Sequence, residues 1–507
     1  MISIVVYLTC LILIGFFYSK RNQTSGDFYL GGRKLGPLVT AMSAEASDMS
    51  SYLLMGLPGL AFICGTADVG WTAIGLATGT YLNWLIVAKR LRRYSHAVNA
   101  ITLPDFFANR FQDTSRSLLG IAALIIIIFF IPYTASGFAA CGKLFSSLFG
   151  VNYMAAMIVS AAIIVLYTSL GGFLAASFTD LIQSIIMTIA LIIVVCFGIS
   201  VAGGVGVVMD NAKDVAGYLS MTLSGNVATG EASKYGFMTI LSTLAWGLGY
   251  FGMPHILLRF MAIRDESKVR VSRRIATVWV VISMGVAIFI GIVGYSMAKG
   301  GTIPMFSTTS EAETVVVQIS SLLSQNSFLA ALVAGVILAG ILACTMSTAD
   351  SQLLAAASGI SENILKGVFK VNLSEKATMA AARLTVIAIS IVAVFLAQNP
   401  NSSIFGIVSF AWAGFGAAFG PVMLFALFWK RANKWGALAG MISGGAMVFI
   451  WEYIVTPFGK SSDIELLTLY ELLPAFIVAC IFIVVVSLVT PAPSKEVTEK
   501  FDAVKAM

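Results

Sequence analysis

Apolar runs long enough to cross a roughly 30 Å bilayer core as helices recur thirteen times along the chain, with short polar or basic segments between them. They fall near 2–19, 38–64, 69–88, 118–149, 153–170, 181–202, 237–258, 276–298, 328–365, 378–397, 403–429, 434–457 and 466–490. The pattern predicts an all-α polytopic membrane protein of about 13 transmembrane helices. The run at 328–365 is too long for one plain crossing, which predicts a bend or an extension into water. Polar stretches at 205–235 and 299–325 are read as the longest connecting loops. The first run has no basic region before it and no small-residue cleavage site after it, so it reads as a retained first helix rather than a signal peptide.

Composition agrees with this class. Hydrophobic residues make up 58% of the 507 positions and charged residues 11%, less than half the share in a typical soluble domain. A formal charge of +7 raises the question of acidic partners, and its placement answers it. Lys20, Arg21, Arg33 and Lys34 fall in the first connection, and Lys89, Arg90, Arg92, Arg93, Arg110 and Arg116 in the third. Arg259, Arg264, Lys268, Arg270, Arg273 and Arg274 fall in the seventh, and Lys430, Arg431 and Lys434 in the eleventh. Only Lys143, Lys213, Lys234, Lys299 and Lys460 lie on the opposite side, leaving roughly 26 of the 31 basic residues on one face. That bias marks cytoplasmic loops, with the amino terminus outside and the carboxyl terminus cytoplasmic. The positive charge serves topology rather than nucleic acid. The six cysteines are scattered through apolar segments and form no metal-like pair. His96 and His255 are not placed for an enzyme's metal or acid–base site.

Two spans carry polar and helix-breaking residues. Span 2 contains Ser43-Ala44-Glu45-Ala46-Ser47-Asp48-Met49-Ser50-Ser51, with Gly56, Pro58 and Gly59 a few residues on. An acid such as Asp48 at membrane depth costs about 3 kcal/mol on insertion scales and signals function. Loosened backbone beside it is tolerated only where it lines a cavity or is buried in protein. Span 7 contains Trp246-Gly247-Leu248-Gly249-Tyr250-Phe251-Gly252-Met253-Pro254-His255. Five spans separate the starts of the two, which predicts a 5+5 inverted-repeat core with broken helices 2 and 7 in equivalent positions, the arrangement that marks a transporter's binding site. The expected divisions are 1–22 as a first helix outside the core, 38–202 and 237–429 as the two repeats, 434–490 as two further helices, and 491–507 as a cytoplasmic tail. A competing reading has these glycines only permitting close helix packing.

Several motifs resemble the sodium:solute symporter family. They are Phe28-Tyr29-Leu30-Gly31-Gly32-Arg33, Ala46-Ser47-Asp48-Met49-Ser50, Leu54-Met55-Gly56-Leu57-Pro58-Gly59, Leu103-Pro104-Asp105-Phe106-Phe107, Thr168-Ser169-Leu170-Gly171-Gly172-Phe173, the span 7 stretch, and Met346-Ser347-Thr348. The likeness is greatest to the family's sodium/proline branch. It implies sodium-coupled import of a small zwitterion, L-proline foremost, by alternating access, with no enzyme activity and no cofactor beyond the coupling ion Na+. It also implies a monomer in the bilayer of the bacterial cytoplasmic membrane. The sodium ligands carried over are the carbonyls of Ala46, Met49 and Cys344 and the hydroxyls of Ser347 and Thr348. Hydroxyl and carbonyl oxygens suit a hard cation, although a Ser-Thr pair in a membrane helix also back-bonds to its own preceding turn.

Asp48 is then a sodium-linked acid acting by charge and by holding the loosened helix. Asp180 is either linked to sodium or the exit route, or caps the start of span 6. The solute positions carried over are Ser50, Ser51, Tyr52, Tyr133, Trp246, Tyr250 and Pro254. Relatives that carry proline usually have Gly-Trp where this chain has Ser51-Tyr52, and Gln where it has Met253, so the pocket is more polar and another amino acid, a betaine or an organic acid is the alternative solute. Glu45 also departs from the family; it shares a helix face with Asp48, so either one acid is protonated or Glu45 has a basic partner. A channel would show a re-entrant pore loop or charged rings, and a signalling receptor a substantial soluble domain; neither pattern is present in the sequence.

Overall fold

A computed structural model describes residues 2–19 and 24–506; Lys20 and Arg21 lie outside the described residues. The chain is a bundle of apolar helices, and eight helices among the described residues are long and apolar enough to cross a membrane. They are Ser117–Phe149, Tyr153–Val201, Glu266–Lys299, Phe328–Val368, Glu375–Leu396, Ile404–Phe428, Lys434–Ser461 and Leu472–Val489. Shorter apolar helices cover Ile2–Tyr18, Tyr52–Cys64 and Phe237–Phe251.

The differences from thirteen uniform spans have local causes. Tyr153–Val201 would extend over roughly 70 Å as one rod, more than twice the bilayer core. Gly172 interrupts it with φ 65° and ψ −172°, a conformation open to glycine and strained for other residues. This is the turn expected between 153–170 and 181–202. Spans 2 and 7 are each two helices, Pro37–Asp48 with Tyr52–Cys64 and Phe237–Phe251 with Pro254–Ala262. The long run at 328 stays α-helical to Ser358, then widens into π turns over Gly359–Val368 that carry Glu362 and Lys366.

The two expected loops are ordered. Residues 205–235 form a helix, Val205–Lys213, and a two-stranded antiparallel hairpin, Leu223–Gly225 with Ala232–Lys234. Within 299–325, the helix Val315–Ser324 buries Val315, Val316, Val317, Ile319 and Leu323. It corrects the reading of that stretch as a polar loop, because its apolar residues recur on one helical face although the helix is too short to span.

Close packing fixes how span 7 crosses the neighbouring helix. A Cβ on Gly79, in the helix Ala67–Leu82, would overlap Gly247 backbone, and a Cβ on Gly247 would overlap Gly75 backbone. Small residues let the two backbones touch, as in other membrane helix pairs. Gly79→Ala is expected to destabilise the protein by about 1–3 kcal/mol, read as a lower thermal midpoint in detergent. Gly206→Ala, where an added Cβ meets no atom within 4 Å, is expected to stay within about 0.5 kcal/mol of wild type.

Candidate functional site

The first break lies directly after Asp48 rather than at Gly56–Gly59. Met49, with φ −70° and ψ 5°, leaves the α ladder, and its N–H still reaches Glu45 O at 2.9 Å. The chain then resumes through a wide turn over Tyr52–Gly56, in which Leu57 N–H donates to Tyr52 O. Pro58 explains the widening: it has no N–H to offer the carbonyl four residues back, so the ladder shifts by one. The second break is at Gly252 (φ −113°, ψ −9°) and Met253 (φ −72°, ψ 110°), and Pro254 opens the helix that follows.

Side chains from other helices satisfy the carbonyls around both breaks. Ser347 Oγ donates to Ala46 O at 2.7 Å, and Tyr133 OH to Asp48 O at 3.4 Å. Trp412 Nε1 donates to Trp246 O at 2.8 Å, and Asn83 Nδ2 to Tyr250 O at 2.9 Å. The two broken helices meet where Tyr250 OH donates to Asp48 Oδ2. Glu45, 1% exposed, accepts Trp84 Nε1–H at 3.0 Å, and its second oxygen has no partner. Among the described residues no cation pairs with it, so of the two alternatives the basic partner is absent and a neutral indole meets this acid.

Four of the five expected sodium ligands share one hydrogen-bonded cluster. Ser347 Oγ touches Ala46 O and, at 3.2 Å, Cys344 O; Thr348 Oγ1 donates to Cys344 O at 3.1 Å. Thr348 thus back-bonds within its own helix, while Ser347 reaches across to span 2. The fifth, Met49 O, accepts Leu53 N–H at 3.1 Å and keeps its second lone pair.

Asp180 lies inside the second half of Tyr153–Val201, eight residues past Gly172, and so is not a helix cap. Its Oδ2 accepts Ser43 Oγ–H at 2.7 Å and Arg259 Nη2–H at 3.1 Å. Arg259 is 1% exposed. It corrects the reading of this residue as a loop charge: its guanidinium is buried, donating also to Ser43 Oγ, His255 O and Ser351 Oγ at 3.0, 2.9 and 2.6 Å. Ser351 in turn donates to Asp350 Oδ1 at 3.0 Å, and Tyr167 OH donates to Asp350 Oδ2 at 2.6 Å. A buried charge needs this many partners to offset its lost hydration.

Lys143, also read as a topology charge, is likewise buried. Its Nζ lies 2.6 Å from Glu313 Oε2, and it donates to Ser310 Oγ and Ser402 O at 2.9 and 2.8 Å. Glu313 Oε1 accepts Ser403 Oγ–H and Phe405 N–H, both at 3.1 Å. The turn presenting Glu313 is set by a capping box of Thr308 and Glu311. The exposed Glu311 carboxyl is held below the usual carboxylate range, chiefly by the Ser307 backbone N–H.

Beside the first break lies a small cavity of about 10 Å³, lined by Asp48, Met49, Tyr52, Leu76, Tyr133, Trp246, Met284, Val408 and Trp412. It has room for about one water. Tyr52 stacks on Trp246 at 6.1 Å between centroids, and Phe405 lies against both rings at 5.8 and 5.4 Å. Of the expected solute positions, Tyr52, Tyr133 and Trp246 form the wall and Tyr250 supports Asp48. Ser50 accepts the Tyr52 N–H at 3.2 Å, Ser51 is buried with its hydroxyl unpartnered, and Pro254 starts its helix; none of the three lines the cavity.

Sequence reasoning missed Trp412, Phe405, Asn83 and Arg259. Arg259 carried a signal, being flanked by Ile256, Leu257, Leu258 and Phe260. Asp180→Ala should cost about 3–5 kcal/mol by stranding the Arg259 charge, seen as a lower thermal midpoint. Adding Arg259→Leu should recover part of the loss, the signature of coupled residues.

The model of the sodium:solute symporter family matches residues 28–444. The osmoregulated proline transporter OpuE of Bacillus subtilis (strain 168) is 42% identical over 496 residues, covering 97% of this chain and 95% of that protein. The sodium/proline symporter of Escherichia coli (strain K12) is 41% identical, covering 99% and 95%. Among solved structures, a Na+-coupled sialic acid symporter in a substrate-bound outward-open state aligns over 97% of this chain and 98% of its own, with a TM-score of 0.78 at 17% identity. That likeness concerns the fold. The chain belongs to the sodium:solute symporter family.

Proposed function

We propose that this multi-pass membrane protein is a sodium-coupled secondary symporter that imports L-proline by alternating access. It is a transporter and not an enzyme, with Na+ as the coupling ion. The observation that carries the reading is the hydrogen bond from Ser347 Oγ to Ala46 O. It joins the broken helix to an intact one through two oxygens of the kind sodium prefers. Sodium takes up the Ala46, Met49 and Cys344 carbonyls and the Ser347 and Thr348 hydroxyls, replacing a weak tie with an ionic one. Asp48 holds the break through Tyr250 and adds negative charge beside the ion. Asp180 is held by Arg259 and acts on the route to the cytoplasm rather than as a ligand.

For an amino acid to enter, the rings of Tyr52, Trp246 and Phe405 separate. Backbone amides and carbonyls freed at the breaks hold its carboxylate and ammonium, and the rings pack against its apolar part. Each sodium entering down 100 mV contributes about 2.3 kcal/mol to uptake. The 5+5 repeat over 38–202 and 237–429, with the amino terminus outside and the carboxyl terminus cytoplasmic, fits the rocking this requires. We place it as a monomer in the bacterial cytoplasmic membrane.

One observation favours a more polar solute as a second reading. Ser51 Oγ and Tyr52 OH are both buried without a partner, a cost of about 1–3 kcal/mol each. Another small amino acid with a hydrogen-bonding side group would satisfy the Tyr52 phenol where proline does not.

Sodium-dependent uptake of labelled proline into proteoliposomes is expected to fall at least about tenfold in Ser347→Ala with Thr348→Ala, the loss of hydroxyl ligands being worth over about 1.4 kcal/mol. Equal uptake by wild type in sodium-free buffer would contradict ion coupling. In competition at fixed sodium, proline is expected to displace the label better than hydroxylated or acyclic amino acids. The reverse order, lost in Tyr52→Phe, would select the second reading.

A further inference from the structure

On the lipid-facing side of the bundle, a groove of about 490 Å³ runs between Tyr153–Val201 and Glu266–Lys299. Its walls are Met42, Thr188, Leu191, Ile192, Ile275, Val278, Trp279, Ile282, Ser283 and Val286, and Arg274 lines one end. The polar atoms inside are largely satisfied internally: Trp279 Nε1 donates to Thr188 Oγ1 at 2.9 Å, and Ser283 Oγ to Val280 O at 3.2 Å. The groove therefore offers apolar surface along its length and a cation at one mouth.

The charge at that mouth is uncompensated. Arg270 and Arg274, one turn apart and both exposed, have no ion pair or hydrogen bond among the described residues. The acids just before them are engaged elsewhere. Glu266, which could have paired with Arg270 along the helix, instead bonds Arg93 at 2.8 Å, and Asp265 caps the Ser267 N–H. From Arg274 to Val286 the groove covers twelve residues of helix, roughly 18 Å, against roughly 15 Å for one leaflet of the hydrocarbon core. An acyl chain lying in the groove thus brings its phosphate to the level of the two arginines.

We propose that this groove is a binding site for one anionic phospholipid, its acyl chain along Ile275, Val278 and Ile282 and its phosphate on Arg270 and Arg274. Arginine suits a phosphate partner because its planar fork donates two parallel hydrogen bonds. A second groove of similar size, about 480 Å³ beside Ile4, Phe145 and Phe149, has no charged residue in its lining. The proposal rests on the membrane-spanning fold and not on which solute crosses.

The test is native mass spectrometry of the full chain released from nanodiscs of phosphatidylethanolamine and phosphatidylglycerol in equal parts. Wild type is expected to retain one phosphatidylglycerol. Arg270→Gln with Arg274→Gln is expected to lower that retention about thirtyfold, each arginine near a phosphate surface being worth about 1 kcal/mol. Arg264→Gln with Lys268→Gln, the same change in net charge outside the groove, should retain the lipid. Val278→Trp should expel it with both arginines intact. Unchanged retention in Arg270→Gln with Arg274→Gln, or an equal loss in Arg264→Gln with Lys268→Gln, would overturn the proposal. Sodium-dependent uptake, measured separately on wild type, tests the transport reading alone.

Discussion

Backbone polar groups inside a bilayer must find partners within the protein, and the centre of this molecule is organised around two places where a helix gives up its own. At Met49 the helix leaves α geometry, and at Gly252–Met253 the ladder stops. The carbonyls near those stops are met by Ser347, Tyr133, Trp412 and Asn83, from four separate helical segments. Each is a buried hydrogen bond in a low-dielectric setting, so losing one strands a carbonyl with no water to replace the donor. The breaks are therefore where the surrounding helices are tied together, and also where a cation can compete for the same oxygens.

The buried charges extend this scheme toward both ends of the bundle. Arg259 joins span 2 through Ser43, the second half of Tyr153–Val201 through Asp180, and the long Phe328–Val368 helix through Ser351. Lys143 and Glu313 join Ser117–Phe149 to the turn at 308–314 and to the start of Ile404–Phe428. The latter pair fixes the backbone of Phe405, the ring that covers Tyr52 and Trp246. Such pairs add little net stability compared with well-packed apolar residues. Their geometric demand suits positions where helices must adopt one of a few discrete arrangements.

Much of this was legible in the chain because membrane helices announce themselves by length and apolarity, and because glycine and proline interrupt them at readable places. The division near Gly172 and the interrupted spans 2 and 7 follow from that logic. The first break falls beside Asp48, where loosened backbone was expected, while at Gly56, Pro58 and Gly59 the ladder absorbs the missing Pro58 N–H by widening one turn. Counting basic residues also gave no sign that Arg259 and Lys143 are buried, since a count treats every cation as solvated. The short helix Val315–Ser324 was read as loop because it is too brief to span, although its apolar face packs into the bundle.

By itself, then, the sequence determined the class of the protein, the helices, the location of an acid and hydroxyls at membrane depth, and the likeness to a family. Those properties are local, set by runs of residues and their spacing. Only the tertiary structure decided which oxygens meet: that Ser347 reaches Ala46 while Thr348 bonds its own turn, that Asp48 faces Tyr250, that Asp180 is held by Arg259, and that Trp412 and Phe405 complete the aromatic wall. The bonds between Asp180 and Arg259 and between Ser347 and Ala46 join residues 79 and 301 positions apart, and their partners are chosen by how the helices cross. Crossing is fixed by backbone contacts such as Gly79 on Gly247, which no local pattern encodes.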